Sequence, residues 1–384
     1  MEVSRKLKSA TGTVFYLMRI MTADRPLTRT ALVLAVLIMA VVILFYARPF
    51  FVPLTFAALF AMLLLPFAQW LERKGCSRGW SSGLSVLLWL IATGAIIALV
   101  AWQVTGLAED ADQMQQQLSK QIENVRQWLT QRYGLSKQEQ QQVLESQKQQ
   151  QPGKIGTMLM GVLGGTATFL TSFVLVLVYI FLFLFLRQRL HRFLLRIVPA
   201  GSKGSAEDTL HSIEKVARKY LGGLALMIAC LWVLYGIGFS IVGVKNPFFF
   251  AILCGLLEIV PFVGNLTGTA LTAGMSLAQG GGTQLLLGIL ITYALVQFLQ
   301  TYILEPMVVG AGVSINPLFT IAGIVGFELI WGIPGMVLAI PLIGMFKIVC
   351  DHVEILEPYG YLIGQEKTEG GLGDKIKKLF KKGS

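Results

Sequence analysis

The chain of 384 residues is 54% hydrophobic and only 14% charged, with a mean hydropathy of +0.66 and a formal net charge of +11. This composition excludes an ordinary soluble domain and points to an all-α polytopic membrane protein. A small number of charges with a basic excess reads as a topology signal and as attraction to anionic lipid, with no nucleic acid partner expected.

In chain order, residues 1–29 form a basic N-terminus with Arg5, Lys6, Lys8, Arg19, Arg25 and Arg29. The apolar run from Thr30 to Ala47 has no clear small-residue cleavage site and leads within a few residues into a second run, so a retained anchor is expected. With runs from Phe50 to Gln69 and Ser82 to Val104, residues 30–105 supply three transmembrane helices. These lengths approach or exceed the ~20 residues that cross ~30 Å of hydrocarbon. Residues 106–154 are a polar, Gln-rich insertion in which Leu107, Met114, Leu118, Ile122, Val125 and Leu129 recur at helical spacing. Two uses compete for this segment: packing on neighbouring helices or the outer leaflet, and a cap that guides substrate or binds a partner. A fourth span fills residues 155–186. Residues 187–219 are basic again, with Arg187, Arg189, Arg192 and Arg196 interleaved with apolar residues, as in a helix leaving the membrane along the headgroups. Runs from Leu221 to Val244 and Thr283 to Leu304 bring the full spans to six, inside a core of residues 220–350. Residues 351–384 form a basic tail ending in KIKKLFKK.

Lys and Arg collect in the N-terminus, the loop from Glu72 to Arg78, residues 187–219 and the tail. By the positive-inside rule all four lie in the cytoplasm, with the Gln-rich segment on the outer face. The four cysteines, Cys76, Cys230, Cys254 and Cys350, are too scattered for a disulfide framework, and His191, His211 and His352 lack metal-ligand spacing. With no phosphate-binding loop, nucleophile elbow or zinc-protease motif, no enzyme activity, metal or cofactor is expected.

The core contains a repeat. VKNPFFFAILCGLLEIVPFVGN begins at Val244, and SINPLFTIAGIVGFELIWGIPG begins at Ser314. Asn246 and Asn316, Pro247 and Pro317, and Glu258 and Glu328 stand seventy residues apart, as do Gly274 and Gly344. Each Glu is followed by a Gly/Pro break, at Pro261 and Gly264 in the first copy and at Pro334 and Gly335 in the second, with Pro341 further on. The arms before each break are too short to cross the bilayer, and the paired arms are too long for one span. Two re-entrant helical hairpins, 246–279 and 316–350, fit both lengths and make eight membrane segments in all. Topology inverts the two hairpins, the arrangement that points to a transport site. Glu258 and Glu328 then lie near the midplane, where a carboxylate is costly and needs a reason. The helix ends near Asn265 and Gly335 would aim positive dipoles at the same region. Asn246 and Asn316 are expected as caps with Pro at the first helical position. Glu305, beside Pro306 at the end of a span, is a further coupling candidate or an interfacial residue.

These motifs, with ILEPMVVGAGVSINPLFTIAGIVG and GIPGMVLAIPLIGMFKIV, resemble the AI-2E family of bacterial membrane transporters, the autoinducer-2 exporter-like proteins. The likeness covers nearly the whole chain, although Asn265 stands where many relatives have Pro. It implies a multi-pass inner-membrane transporter that forms a homo-oligomer such as a pentamer. It also implies a substrate range from autoinducer-2 through Na⁺ or Li⁺/proton exchange to small organic anions.

The expectation from sequence is a secondary transporter. It would export a small polar or anionic metabolite, coupled to H⁺ or Na⁺ through Glu258 and Glu328. A monovalent cation/proton antiporter and a scaffold that moves nothing are the alternatives.

Overall fold

The computed structural model describes residues 26–108, 154–199, 201, 203–261, 263–309 and 315–365. The basic stretch of residues 1–25, the Gln-rich residues 109–153 and the KIKKLFKK tail lie outside the described residues. Within them the chain is helical, without strands, and its extended pairing is a single isolated bridge between Ile315 and Gly364.

The chain divides between Val52 and Pro53 into two units. In the first, helix α1 (Pro26–Tyr46) exposes nearly its whole apolar surface, and helix α2 (Arg48–Arg73) begins. The second unit holds the rest of α2 together with α3 (Arg78–Ala108), α4 (Lys154–Ile197), α5 (Lys203–Val242), α6 (Pro247–Leu257), α7 (Val263–Ala278) and α8 (Thr283–Leu299). A π-helical segment (Gln300–Val309), α9 (Pro317–Trp331), α10 (Ile333–His352), a 3₁₀ turn (Glu354–Leu356) and α11 (Glu357–Ile363) complete it.

Among the described residues, six helices are long and apolar enough to cross a membrane: Arg48–Arg73, Arg78–Leu99, Leu170–Ile197, Lys203–Val242, Thr283–Glu305 and Ile333–His352. Helix α1, 21 residues long, matches the first expected apolar run, and α10, expected as a hairpin arm, also reaches 20 residues. Helices α6 and α9 keep the lengths expected of short arms, 11 and 15 residues. At ~1.5 Å per residue those rise about 16 Å and 22 Å, short of a ~30 Å core.

Packing forms two cores. In one, Ala57, Ala61, Leu64 and Ala68 recur on a single face of α2 and meet Val176, Ile180 and Leu184 of α4. The small alanines let the two backbones approach. The other core joins Leu231, Tyr235 and Phe239 of α5 to Phe250 and Cys254 of α6 and Ile289 and Val296 of α8. Trp232 ties α5 to α6 by donating from Nε1 to the Ile252 carbonyl at 3.2 Å.

Both repeats close through a glycine in the second arm. A Cβ on Gly264 would stand 1.7 Å from the Leu257 carbonyl oxygen, and one on Gly335 would stand 2.0 Å from that of Phe327. No side chain larger than hydrogen fits either position. The starts of the two repeats differ. Asn316 caps α9 as expected, accepting from the Leu318 N–H at 3.0 Å. Asn246 does not cap with its side chain; it adopts φ 57°, ψ 53° and turns the chain from α5 into α6. Asn tolerates this left-handed backbone better than other residues with a Cβ. Pro247 and Pro317 each occupy the first helical position, where a missing N–H costs nothing.

The second repeat is also clasped at its ends. The Asn316 N–H donates to the Ile363 carbonyl at 2.8 Å, and Gly360 of α11 fits against Asp351 of α10 so closely that a Cβ there would meet the carboxylate. Helix α11 therefore bridges the start of α9 and the end of α10.

Candidate functional site

A cavity of about 790 Å³ opens where the first hairpin faces the end of α8. Glu258, Asn265, Tyr293, Gln297, Thr301 and Glu305 supply most of its polar lining, while α5, α9 and α10 close it with Met227, Ile324 and Ile340, and with the hydroxyl-bearing Tyr220 and Thr320. Three of the residues expected at a transport site, Glu258, Asn265 and Glu305, therefore share one chamber. Glu328 and Gly335 do not line it. Glu328 is half-buried, one turn before the second tip, where its backbone carbonyl accepts from the Gly332 N–H at 2.7 Å.

Glu258 sits at the C-terminal cap of α6, so its carboxylate projects from the hairpin tip and not from a helix face. Gln300 holds it there, donating from Nε2 to Glu258 Oε1 at 2.7 Å. Gln300 is 1% exposed, and its own Oε1 has no partner among the described residues. A second chain of amides runs alongside: Asn265 Nδ2 donates to Gln297 Oε1, and Gln297 Nε2 donates to Thr301 Oγ1 at 3.3 Å. The tip of the first hairpin is thus bound to the end of α8 and the start of the π-helical segment by two side-chain links. Behind it, α6 and α7 lie almost in backbone contact, since a Cβ on Gly268 would come within 3.2 Å of Cys254 Cα.

The winding of the Gln300–Val309 segment decides which groups face the cavity. In an α-helix, residues five apart diverge by about 140°. The i→i+5 winding of a π-helix brings them much closer to one face and recurs at functional sites. Here it carries Glu305 round toward the side on which Gln300 holds Glu258. Sequence reasoning missed Gln297, Gln300 and Thr301. The signal was present in the spacing of Gln297, Gln300, Thr301 and Glu305, a polar stripe on one side of an otherwise apolar span.

Removing the Gln300 amide should be felt in stability. Gln300→Ala strips a half-buried carboxylate of its donor and empties a buried side-chain position, and thermal unfolding in detergent is expected to register a loss of about 1–3 kcal/mol. Unfolding unchanged from the wild type would mean that Glu258 finds water or another donor there.

The profile of the AI-2E transporter family matches residues 32–355. The chain belongs to this family. Relatives include YrrI of Bacillus subtilis, whose name describes a candidate transport protein, at 22% identity over 79% of this chain and 87% of its own length. YueF of the same organism, similarly named, is 25% identical over 82% of this chain and 89% of its own. PerM of Escherichia coli, named a candidate permease, is 24% identical over 82% and 91%. The family match takes in both hairpin repeats and every polar group of the cavity.

Proposed function

We propose that this AI-2E family protein is a secondary transporter of a small polar or anionic solute, coupled to H⁺ or Na⁺ through Glu258 with Glu305. The observation that carries the reading is a Glu at the tip of a short, broken helix, held by a buried amide inside a cavity that also contains a second Glu. Carboxylates within apolar spans are expensive and usually serve ion or substrate pathways. Both lie in one chamber, so a monovalent cation bound between them would offset their mutual repulsion and leave the pair with a single negative charge, and its departure would leave two like charges to separate. Asn265, Gln297 and Thr301 offer donors and acceptors to a polar solute in the same space. The relatives' names as candidate transport proteins and a permease agree with this class.

The two repeats act as inverted re-entrant hairpins in this reading, with the termini in the cytoplasm of a bacterial inner membrane and the subunits forming a homo-oligomer. Support comes from the short first arms, the glycine-closed tips, and the bridging of the α9 start and the α10 end by α11. Cysteines placed singly at Lys245 and Ser314 in a cysteine-free background are expected to react with impermeant thiol reagents from opposite sides of the membrane. A cysteine at Asn265 should stay protected. Labelling of both start positions from one side would refute the inversion.

Purified protein in liposomes under an imposed pH gradient tests the function itself. Gradient-driven flux of Na⁺ or Li⁺ without any organic solute would favour a cation/proton antiporter; flux of small organic anions would favour metabolite export. No flux of either kind would leave the scaffold reading in place.

A further inference from the structure

A second cleft of about 780 Å³ lies far along the chain from the transport cavity, between α2, the end of α4 and the start of α5. Its two halves differ in chemistry. Ala58, Ala61, Met62, Leu65 and Leu184 make one half apolar, with two alanines leaving room that larger residues would fill. Gln69, Gln188, Arg192 and His211 make the other half polar and basic. From Ala58 to Gln69 the groove follows α2 for eleven residues, about 17 Å at ~1.5 Å per residue. That length matches roughly one leaflet of a ~30 Å hydrocarbon core.

Charge in the polar half is unbalanced. Arg187 is paired with Glu72, and Glu214 is paired with Arg218 at 3.5 Å. Among the described residues, Arg192 meets no carboxylate; its Nε donates to the Gln188 carbonyl of its own helix at 3.2 Å. Nη1 of Arg187 is buried and has no acceptor among the described residues. His211 uses Nδ1 on the Glu207 carbonyl at 3.1 Å, and no described residue takes up its other ring nitrogen. An uncompensated guanidinium, a buried donor without an acceptor and an apolar groove of leaflet length converge on one class of ligand.

We propose that this cleft is a binding site for an anionic phospholipid of the surrounding bilayer. The phosphodiester accepts from Arg192, with Gln69, Gln188 and His211 around it, and one acyl chain lies along the alanine face of α2. Guanidinium suits a phosphate because it presents several fixed donors and holds its charge at every accessible pH. Basic pockets between membrane helices take acidic headgroups for this reason. A bound lipid would link α2 to α4 and α5 at the end where the α4 basic face emerges, independently of what the transport cavity carries.

Thermal unfolding of the full chain in detergent, titrated with phosphatidylglycerol, tests the site. A saturable rise in Tm of at least about 3 °C is expected. Phosphatidylcholine with the same acyl chains should give little, because its headgroup is neutral. Inorganic phosphate and glycerol phosphate should also give little, because they lack the chain. Arg192→Gln should abolish the phosphatidylglycerol shift, Arg192→Lys should retain part of it, and Arg189→Gln, on the same helix but outside the cleft, should leave it whole. Should Arg192→Gln fail to fold, Ala58→Leu, at a half-buried position of the groove outside the α2–α4 core, fills the acyl groove instead and is expected to remove the same shift. Equal stabilisation by phosphatidylcholine, a full effect from soluble phosphate, or an undiminished shift in both Arg192→Gln and Ala58→Leu would overturn the proposal.

Discussion

Glu258→Gln is expected to reduce coupled flux in liposomes by about 10- to 100-fold while leaving the protein folded. The magnitude follows from exchanging a charge-assisted contact of about 1.5–3 kcal/mol for a neutral one. Folding should survive because the amide fills the same space and still offers Gln300 Nε2 a carbonyl acceptor at the position of Oε1, now 2.7 Å away. Glu305→Gln should lower flux too. The double variant should be little worse than Glu258→Gln alone, since two groups that hold one ion act as a unit and their losses do not add. Glu328→Gln provides the contrast: this residue does not line the cavity, so it should keep the ion dependence of the wild type. Flux should be measured at equal reconstituted protein, over a range of external pH and of Na⁺. Wild-type pH and Na⁺ dependence in Glu258→Gln would end its coupling role, and loss of coupling in Glu328→Gln would move the site to the second hairpin.

Gly264→Ala and Gly335→Ala are expected to be the most damaging single-methyl changes in the core. The added carbon would have to occupy positions 1.7 Å and 2.0 Å from backbone oxygens, and backbone cannot rotate away as a side chain can. Overpacking of this kind costs about 3 kcal/mol or more when backbone must move. The expected readout is a large fall in Tm and loss of a monodisperse profile in detergent. Gly326→Ala is the internal control: nothing lies within 4 Å of its Cβ position, and alanine is the better helix former by about 1 kcal/mol. If all three alanine variants unfold alike, the tips are not closed as described.

Some features of this site were legible because they depend on local chemistry alone. Pro247 and Pro317 at the first helical positions follow from fixed φ and a missing N–H. Glu258 stood out because a carboxylate in an apolar run is costly and must either serve function or tie the tip together as a protonated hydrogen-bonding group. Asn246 was misjudged as a side-chain cap because Asn both caps helices and tolerates left-handed backbone, and only the turn out of α5 selects between them. Gln300 escaped notice for a related reason: an amide near the end of a span could face headgroups, and only the fold buries it against Glu258.

The sequence by itself determined that the chain is a helical membrane protein, where its apolar runs lie, and that a repeat with two broken helices occupies its C-terminal half. Those properties arise from transfer of side chains into hydrocarbon and from the backbone limits of Gly and Pro, which act residue by residue. Tertiary structure alone decided which carboxylates share a chamber. Glu258 and Glu328 match in sequence position, but Glu258 shares its cavity with Glu305, because the turn after α7 returns α8 beside the first tip and π-helical winding turns the exposed Glu305 to the cavity side. Periodicity records the spacing of residues along one helix. The distance between residues on different helices is set by glycine contacts and buried amides that each need a partner from elsewhere in the chain.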